Sequence, residues 1–115
     1  MFSYFAKRTI TYGSRSQVTL IPGDGIGEAI AEAVVKVFNA ARAPIDWDTV
    51  NVRTAGDYVR ALESIKRNRV CLKGILATEI GGGAHSSWNV QLRRVLDVYA
   101  GVVPVKAMPG IMTRH

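Results

Sequence analysis

The sequence predicts an α/β fold in which short parallel strands alternate with amphipathic helices. Three features carry this reading. Runs of β-branched and apolar residues of strand length recur along the chain, helical apolar periodicity fills the gaps between them, and glycine or proline closes the first and third runs. The intervals are long enough for crossover helices, which parallel strands require. The 115 residues, 48% hydrophobic and 21% charged, have the composition of a soluble domain and set one domain as the ceiling.

The elements follow in order. The first strand is Gln17 to Ile21, stopped by Pro22-Gly23. A helix from about Glu28 to Ala41 places Ile30, Ala33, Val34, Val37 and Ala41 on one stripe, with Glu28 and Glu32 in its early turns, where the helix dipole favours negative charge. Ile45 to Val52 is the second strand. Asp57 is placed to cap a helix through Asn68, with Tyr58, Leu62 and Ile65 at helical spacing and Lys66-Arg67 at its negative end. Val70 to Lys73 is a third strand, closed by Gly74. A loop containing Gly81-Gly82-Gly83 leads to a helix whose buried stripe is Trp88, Leu92, Val95, Leu96 and Tyr99, and Val102 to Val105 reads as a last strand.

Charge and composition exclude several classes of function. Before Asp24 the chain has Lys7, Arg8 and Arg15 and no acid, so half of the net charge of +6 sits at the start. The remainder is near balance, which argues against a nucleic-acid partner. No apolar run approaches the roughly 20 residues of a membrane span. The basic, hydroxyl-bearing, acid-free opening has the composition of a mitochondrial transit peptide, assigned to residues 1–16, and the domain begins at Gln17. Cys71, alone in the sequence, sits in the apolar run Val70-Cys71-Leu72 and reads as a buried, inert thiol.

The loop Ile21-Pro22-Gly23-Asp24-Gly25-Ile26-Gly27 links a strand to a helix, where backbone N–H groups and the helix dipole can receive an anion. Its G-x-G-x-G spacing differs from the dinucleotide fingerprint. Further along, Ser87, Asn89 and Arg93 open a helix. Asn89 and Arg93, four apart, share a face, and Arg93 offers a planar two-donor fork to a carboxylate.

The stretch Val18-Thr19-Leu20-Ile21-Pro22-Gly23-Asp24-Gly25-Ile26-Gly27 resembles the opening strand and loop of the β-decarboxylating dehydrogenases, the isocitrate and isopropylmalate dehydrogenase family. Pro44-Ile45-Asp46-Trp47, Ser64 to Gly74 and Asn89-Val90-Gln91-Leu92-Arg93-Arg94 follow in that family's order and approximate spacing, favouring the NAD-linked mitochondrial isocitrate enzymes. The resemblance implies that residues 17–115 form the opening part of the large, parallel-sheet domain of that fold. It further implies that Ser87, Asn89 and Arg93 hold the carboxylates of isocitrate or citrate, and that Thr78 lies near a bound nucleotide. NAD and Mg²⁺ or Mn²⁺ then belong to the assembled enzyme, in the mitochondrial matrix.

Departures from the family pattern narrow the expectation. A catalytic subunit carries a second carboxylate-binding arginine before the proline that ends the next strand, and here Val103 precedes Pro104. Losing one desolvated ionic contact costs on the order of 2–5 kcal/mol. Glu28-Ala29 stands where Pro-Glu is expected, and Glu79 follows Thr78 in place of proline. The resemblance therefore points to a regulatory-type subunit that pairs with a catalytic isocitrate dehydrogenase subunit and binds citrate, with AMP as a further ligand. An incomplete catalytic isocitrate or isopropylmalate dehydrogenase, and a non-enzymatic component of a mitochondrial assembly, are the alternatives. The tyrosine, lysine and metal-binding aspartates of the family chemistry would come from later parts of the fold or from a neighbouring subunit. No catalytic residue and no metal ligand is expected here: His85 and His115 are lone histidines with no second ligand at metal spacing, and His85 reads as a solvated loop residue. So few strands leave apolar edges and faces exposed, so the chain is expected to seek a partner.

Overall fold

A computed structural model describes residues 13–77 and 87–112 of the chain. Their elements run β1 (Ser16–Ile21), α1 (Gly27–Ala40), β2 (Ile45–Thr49), α2 (Ala55–Asn68), β3 (Cys71–Lys73) and α3 (Trp88–Val95). The strands form one parallel sheet in the order β2-β1-β3, with Val18 opposite Trp47 and Leu20 opposite Leu72. Residues 1–12 of the transit-peptide assignment, which covers residues 1–16, and the Gly81–Gly83 loop lie outside the described residues.

The twofold alternation of side chains along β1 sorts the helices between the two faces of the sheet. Thr19 and Ile21 point to α2: Ile21 packs in a buried cluster with Val50, Val52, Tyr58, Ala61, Ile65, Leu76 and Leu92, and the Thr19 hydroxyl lies 2.6 Å from that of Ser64. Leu20 points the other way, to a shallow apolar groove shared with Ile26, Ile30, Ala31 and Val34 of the α1 side and Leu72 of β3. Helices on opposite faces are what right-handed crossovers give when the chain steps from β1 to β2 and then back past β1 to β3. α3 closes over the α2 face, with Trp88 against Tyr58 at a ring separation of 4.5 Å.

Several expectations are corrected. The cap of α2 is Thr54, whose hydroxyl accepts from Asp57 N, while Asp57 Oδ2 accepts from Thr54 N at 3.0 Å; Asp57 is thus the third helical residue of a capping box, not the cap itself. The α1 stripe is only partly buried: Ala31 is covered, whereas Ile30 is 52% and Val37 65% exposed. Three strands are too narrow a surface to cover that helix. α3 stops at Val95, Leu92 is its one buried residue, and Val95 and Tyr99 are exposed. Val102 to Val105 forms no strand and is exposed throughout, because among the described residues no neighbouring strand satisfies its backbone and Pro104 has no N–H to donate.

Between β1, β2 and α2 lies a polar network. Ser64 Oγ donates to Asp48 Oδ2 at 2.6 Å, Asn68 Nδ2 donates to Asp48 Oδ2 at 3.1 Å and to Thr19 Oγ1 at 2.9 Å, and Arg67 pairs with Asp48 at 2.5 Å. Thr19, Ser64 and Asn68 are buried. The hydrogen bond from Ser64, aided by Asn68 and Arg67, holds the Asp48 carboxyl below its usual range. Replacing Ser64 by Ala leaves the buried Thr19 hydroxyl without that partner, so the expected cost is about 1–3 kcal/mol. Because the folded-state pKa of Asp48 is depressed, its contribution is complete above the unfolded carboxylate pKa and fades as pH falls through the folded value. Ser64→Ala should therefore lower the denaturation midpoint more at neutral pH than in strong acid, and an equal drop at both would contradict the network.

Candidate functional site

The chain returns to the sheet on opposite faces either side of β1, so the carboxyl ends of β1 and β3 form the switch point at which open parallel sheets bind ligands. Two loops meet there. The glycine-rich loop after β1 turns back on the segment after β3: Asp24 N donates to Ile75 O at 2.7 Å, and Asp24 Oδ2 accepts from Ala77 N at 2.7 Å. Gly23 (φ +83°) and Gly25 (φ +61°) adopt left-handed backbone, which glycine takes without strain. The loop therefore spends its Asp24 N–H on the protein. Beside it, a cavity of about 120 Å³ is lined by Asp24, Glu28, Asn51 and Arg53. The two carboxylates at this cavity oppose the anion-receiving role that the loop suggests on glycine spacing alone.

The second loop leads to α3. Ser87 caps this helix, its Oγ accepting from Asn89 N at 3.3 Å. The hydroxyl is thus engaged as an acceptor. Asn89 is bound on both sides of its amide: Nδ2 donates to Leu76 O at 3.1 Å and lies 3.3 Å from Ser87 Oγ, while Oδ1 accepts from Lys73 Nζ at 2.8 Å. Lys73, the last residue of β3, also donates to Gly74 O at 2.6 Å. Partial burial pulls the Lys73 pKa below its ordinary value, and the nearby positive charge of Arg93 adds to the shift. Arg93 is exposed one turn along α3 from Asn89. Among the described residues the ion pairs are Arg15–Asp46, Arg60–Asp57 and Arg67–Asp48, and neither Lys73 nor Arg93 takes part in one.

Ser87, Asn89 and Arg93 thus open one helix, and the end of β3 adds Lys73, which motif spacing did not single out. The signal was present in Leu72-Lys73-Gly74, but its meaning depends on a contact 16 residues away in the chain. Thr78, Glu79, His85 and His115 lie outside the described residues. Among the described residues no three His, Cys, Asp or Glu side chains gather closely enough for a metal ion. Cys71 is half-buried rather than fully so, and burial pushes its thiol pKa up to about 11, leaving the unreactive thiol form at neutral pH.

Fold and site together define part of a doubly wound α/β protein whose switch point brings Lys73 at the end of β3 against Asn89 at the start of α3. A family model described as isocitrate/isopropylmalate dehydrogenase matches residues 17–115, and the chain belongs to that family. It is 44% identical, over 96% of its length, to mitochondrial NAD isocitrate dehydrogenase subunit 1 of Schizosaccharomyces pombe. It is 47% identical, over 94% of its length, to mitochondrial NAD isocitrate dehydrogenase regulatory subunit 3 of Arabidopsis thaliana. The chain spans 33% and 31% of these two relatives, respectively. A solved protein of Thermus thermophilus superposes with a TM-score of 0.61 at 40% identity, covering 70% of this chain and 18% of that one.

Proposed function

We propose that this chain is the N-terminal segment of a regulatory-type subunit of mitochondrial NAD-dependent isocitrate dehydrogenase, located in the matrix and paired with a catalytic subunit. The observation that carries the proposal is the combination of Ser87, Asn89 and Arg93 with Val103 before Pro104. The chain keeps a carboxylate-recognising helix start and lacks the arginine that a catalytic subunit carries at the next strand. Similarity to subunits named regulatory in Arabidopsis thaliana and Dictyostelium discoideum supports the same reading.

In this reading the site binds citrate or isocitrate without turning it over. Arg93 supplies a two-donor fork, the first turn of α3 a partial positive charge, and Asn89 a neutral donor and acceptor. AMP is a further ligand in the same account. NAD and the divalent metal act in the assembled enzyme. The described residues do not supply a metal's donor set, so no step through a metal is assigned to this segment. A transit peptide at residues 1–16 fits the opening composition. Because Arg15 donates to Asp46 at 2.8 Å and Ser16 begins β1, the leader in this reading ends before Arg15 rather than at residue 16.

Purifying the native complex and identifying its subunits by mass tests this assignment. The chain, or a longer product containing it, should co-elute with a catalytic isocitrate dehydrogenase subunit. Elution alone, or with an unrelated mitochondrial assembly, would overturn the assignment.

A further inference from the structure

We propose that Tyr58 is a positioning residue for the anion site at the start of α3, its hydroxyl unbonded in this conformation and bonded in a second one that citrate selects. This deepens the reading of Ser87, Asn89 and Arg93 as a citrate site and rests on it. Tyr58 stands in the first turn of α2 and is 7% exposed, and its hydroxyl is buried with no hydrogen-bond partner among the described residues. Burial raises the phenol pKa, so the group is a protonated donor at neutral pH. A buried donor without a partner costs free energy, and phenylalanine would fill the same space without that cost.

Two links join this phenol to the site. Its ring lies 4.5 Å from that of Trp88, the first residue of α3, which stands between Ser87 and Asn89. Tyr58 also shares a buried cluster with Leu76, whose carbonyl accepts from Asn89 Nδ2 at 3.1 Å. The opening turn of α3 is lightly held, because Trp88 is partly buried and Leu92, a turn further on, is the helix's one buried residue. It can therefore shift while the core stays packed. A ligand carboxylate that engages the Asn89 amide draws on the group that ties this turn to Leu76. The oxygens of Ser87 and Asn89, on either side of Trp88, are acceptors for a phenol, and a shift that brings one of them to Tyr58 turns a cost into a hydrogen bond. Citrate then binds the shifted conformation more tightly and moves the population toward it.

The test compares Tyr58→Phe with the original chain in the assembled complex, by melting temperature without citrate and by calorimetric titration of citrate. The variant should melt a few degrees higher, since an unpaired donor has gone. It should also bind citrate about three- to thirtyfold more weakly, since the conformation that citrate selects has lost a hydrogen bond. A role in packing alone would raise the melting temperature and leave citrate affinity unchanged, and that result would overturn the proposal. A lower melting temperature would overturn it too, because the hydroxyl would then be bonded without citrate. Hydrogen exchange of residues 87–92 in the original chain gives a second reading: citrate should alter protection there, and unaltered protection with citrate bound would contradict the shift. Arg93→Ala separates this proposal from the reading beneath it. Unchanged citrate affinity in that variant would remove the citrate site itself, and the inference with it.

Discussion

Replacing Gly74 by alanine should cost about 3 kcal/mol or more and leave little soluble, assembled protein. A Cβ on Gly74 would sit 1.9 Å from Pro22 O and 2.8 Å from Pro22 C, both backbone atoms. Neither chain can retreat easily, because Gly74 N donates to Ile21 O at 2.7 Å on one side of the contact and Asp24 N donates to Ile75 O at 2.7 Å on the other. Overpacking of a closely fitted interior usually costs about 1–3 kcal/mol, and a clash with backbone exceeds that range because no rotamer change relieves it. Gly56→Ala is the matched control. Its nearest neighbour, Thr54 Oγ1, lies 3.7 Å away, and the residue is within α2, so alanine there should stabilise by about 0.5–1 kcal/mol. Melting temperatures of the two variants in the assembled protein decide the matter. An unshifted midpoint in Gly74→Ala would mean that β1 and β3 do not approach as closely as described.

The sequence disclosed what is local and periodic, and little of what depends on distant neighbours. α1, α2 and α3 were readable because their apolar residues recur at helical spacing and charge follows the dipole, as with Glu28 at the start of α1 and Lys66-Arg67 at the end of α2. Placing the first cap at Asp57 missed by three residues, since either Thr54 or Asp57 is a good cap on residue type and only the reciprocal bonds separate them. β-Propensity at Val102 to Val105 misled because a strand exists only with a partner, and among the described residues none stands beside that segment. The stripe on α1 was correctly periodic, yet Ile30 and Val37 are exposed because burial needs a wider sheet than three strands.

The candidate site divides in the same way. Ser87, Asn89 and Arg93 were legible because they form one local motif at a helix start. Lys73 was not, since it reaches the motif through tertiary structure. The Asp48 network was equally hidden: Ser64 and Asn68 are four apart on one face of α2, but nothing local shows that Thr19 and Asp48 will face them from β1 and β2. The acidic lining of the cavity beside the glycine-rich loop also required the fold, which brings Asp24 and Glu28 together with Arg53 from the segment after β2.

Arg93→Ala in the reconstituted enzyme should remove most of the activation by citrate while leaving the maximal rate at saturating isocitrate nearly unchanged. The reason is thermodynamic. A regulatory site acts on the equilibrium between conformations of the assembly, and the coupling it contributes is typically about 1–3 kcal/mol, or roughly 5- to 150-fold in apparent affinity. On the regulatory reading proposed above, the bond being broken lies in the catalytic partner, so the chemical barrier there would be untouched by a charge lost here. Arg93 is suited to this role because it is exposed on α3 and joins no ion pair among the described residues, so its removal takes away charge and little packing. The deciding measurement is rate against isocitrate concentration, with and without citrate, for complexes containing the original chain or Arg93→Ala. The regulatory account predicts that citrate shifts the half-saturating isocitrate concentration for the original chain, that the shift collapses in the variant, and that both curves reach nearly the same plateau. A variant that assembles normally yet loses its plateau rate would make this site catalytic and contradict the account.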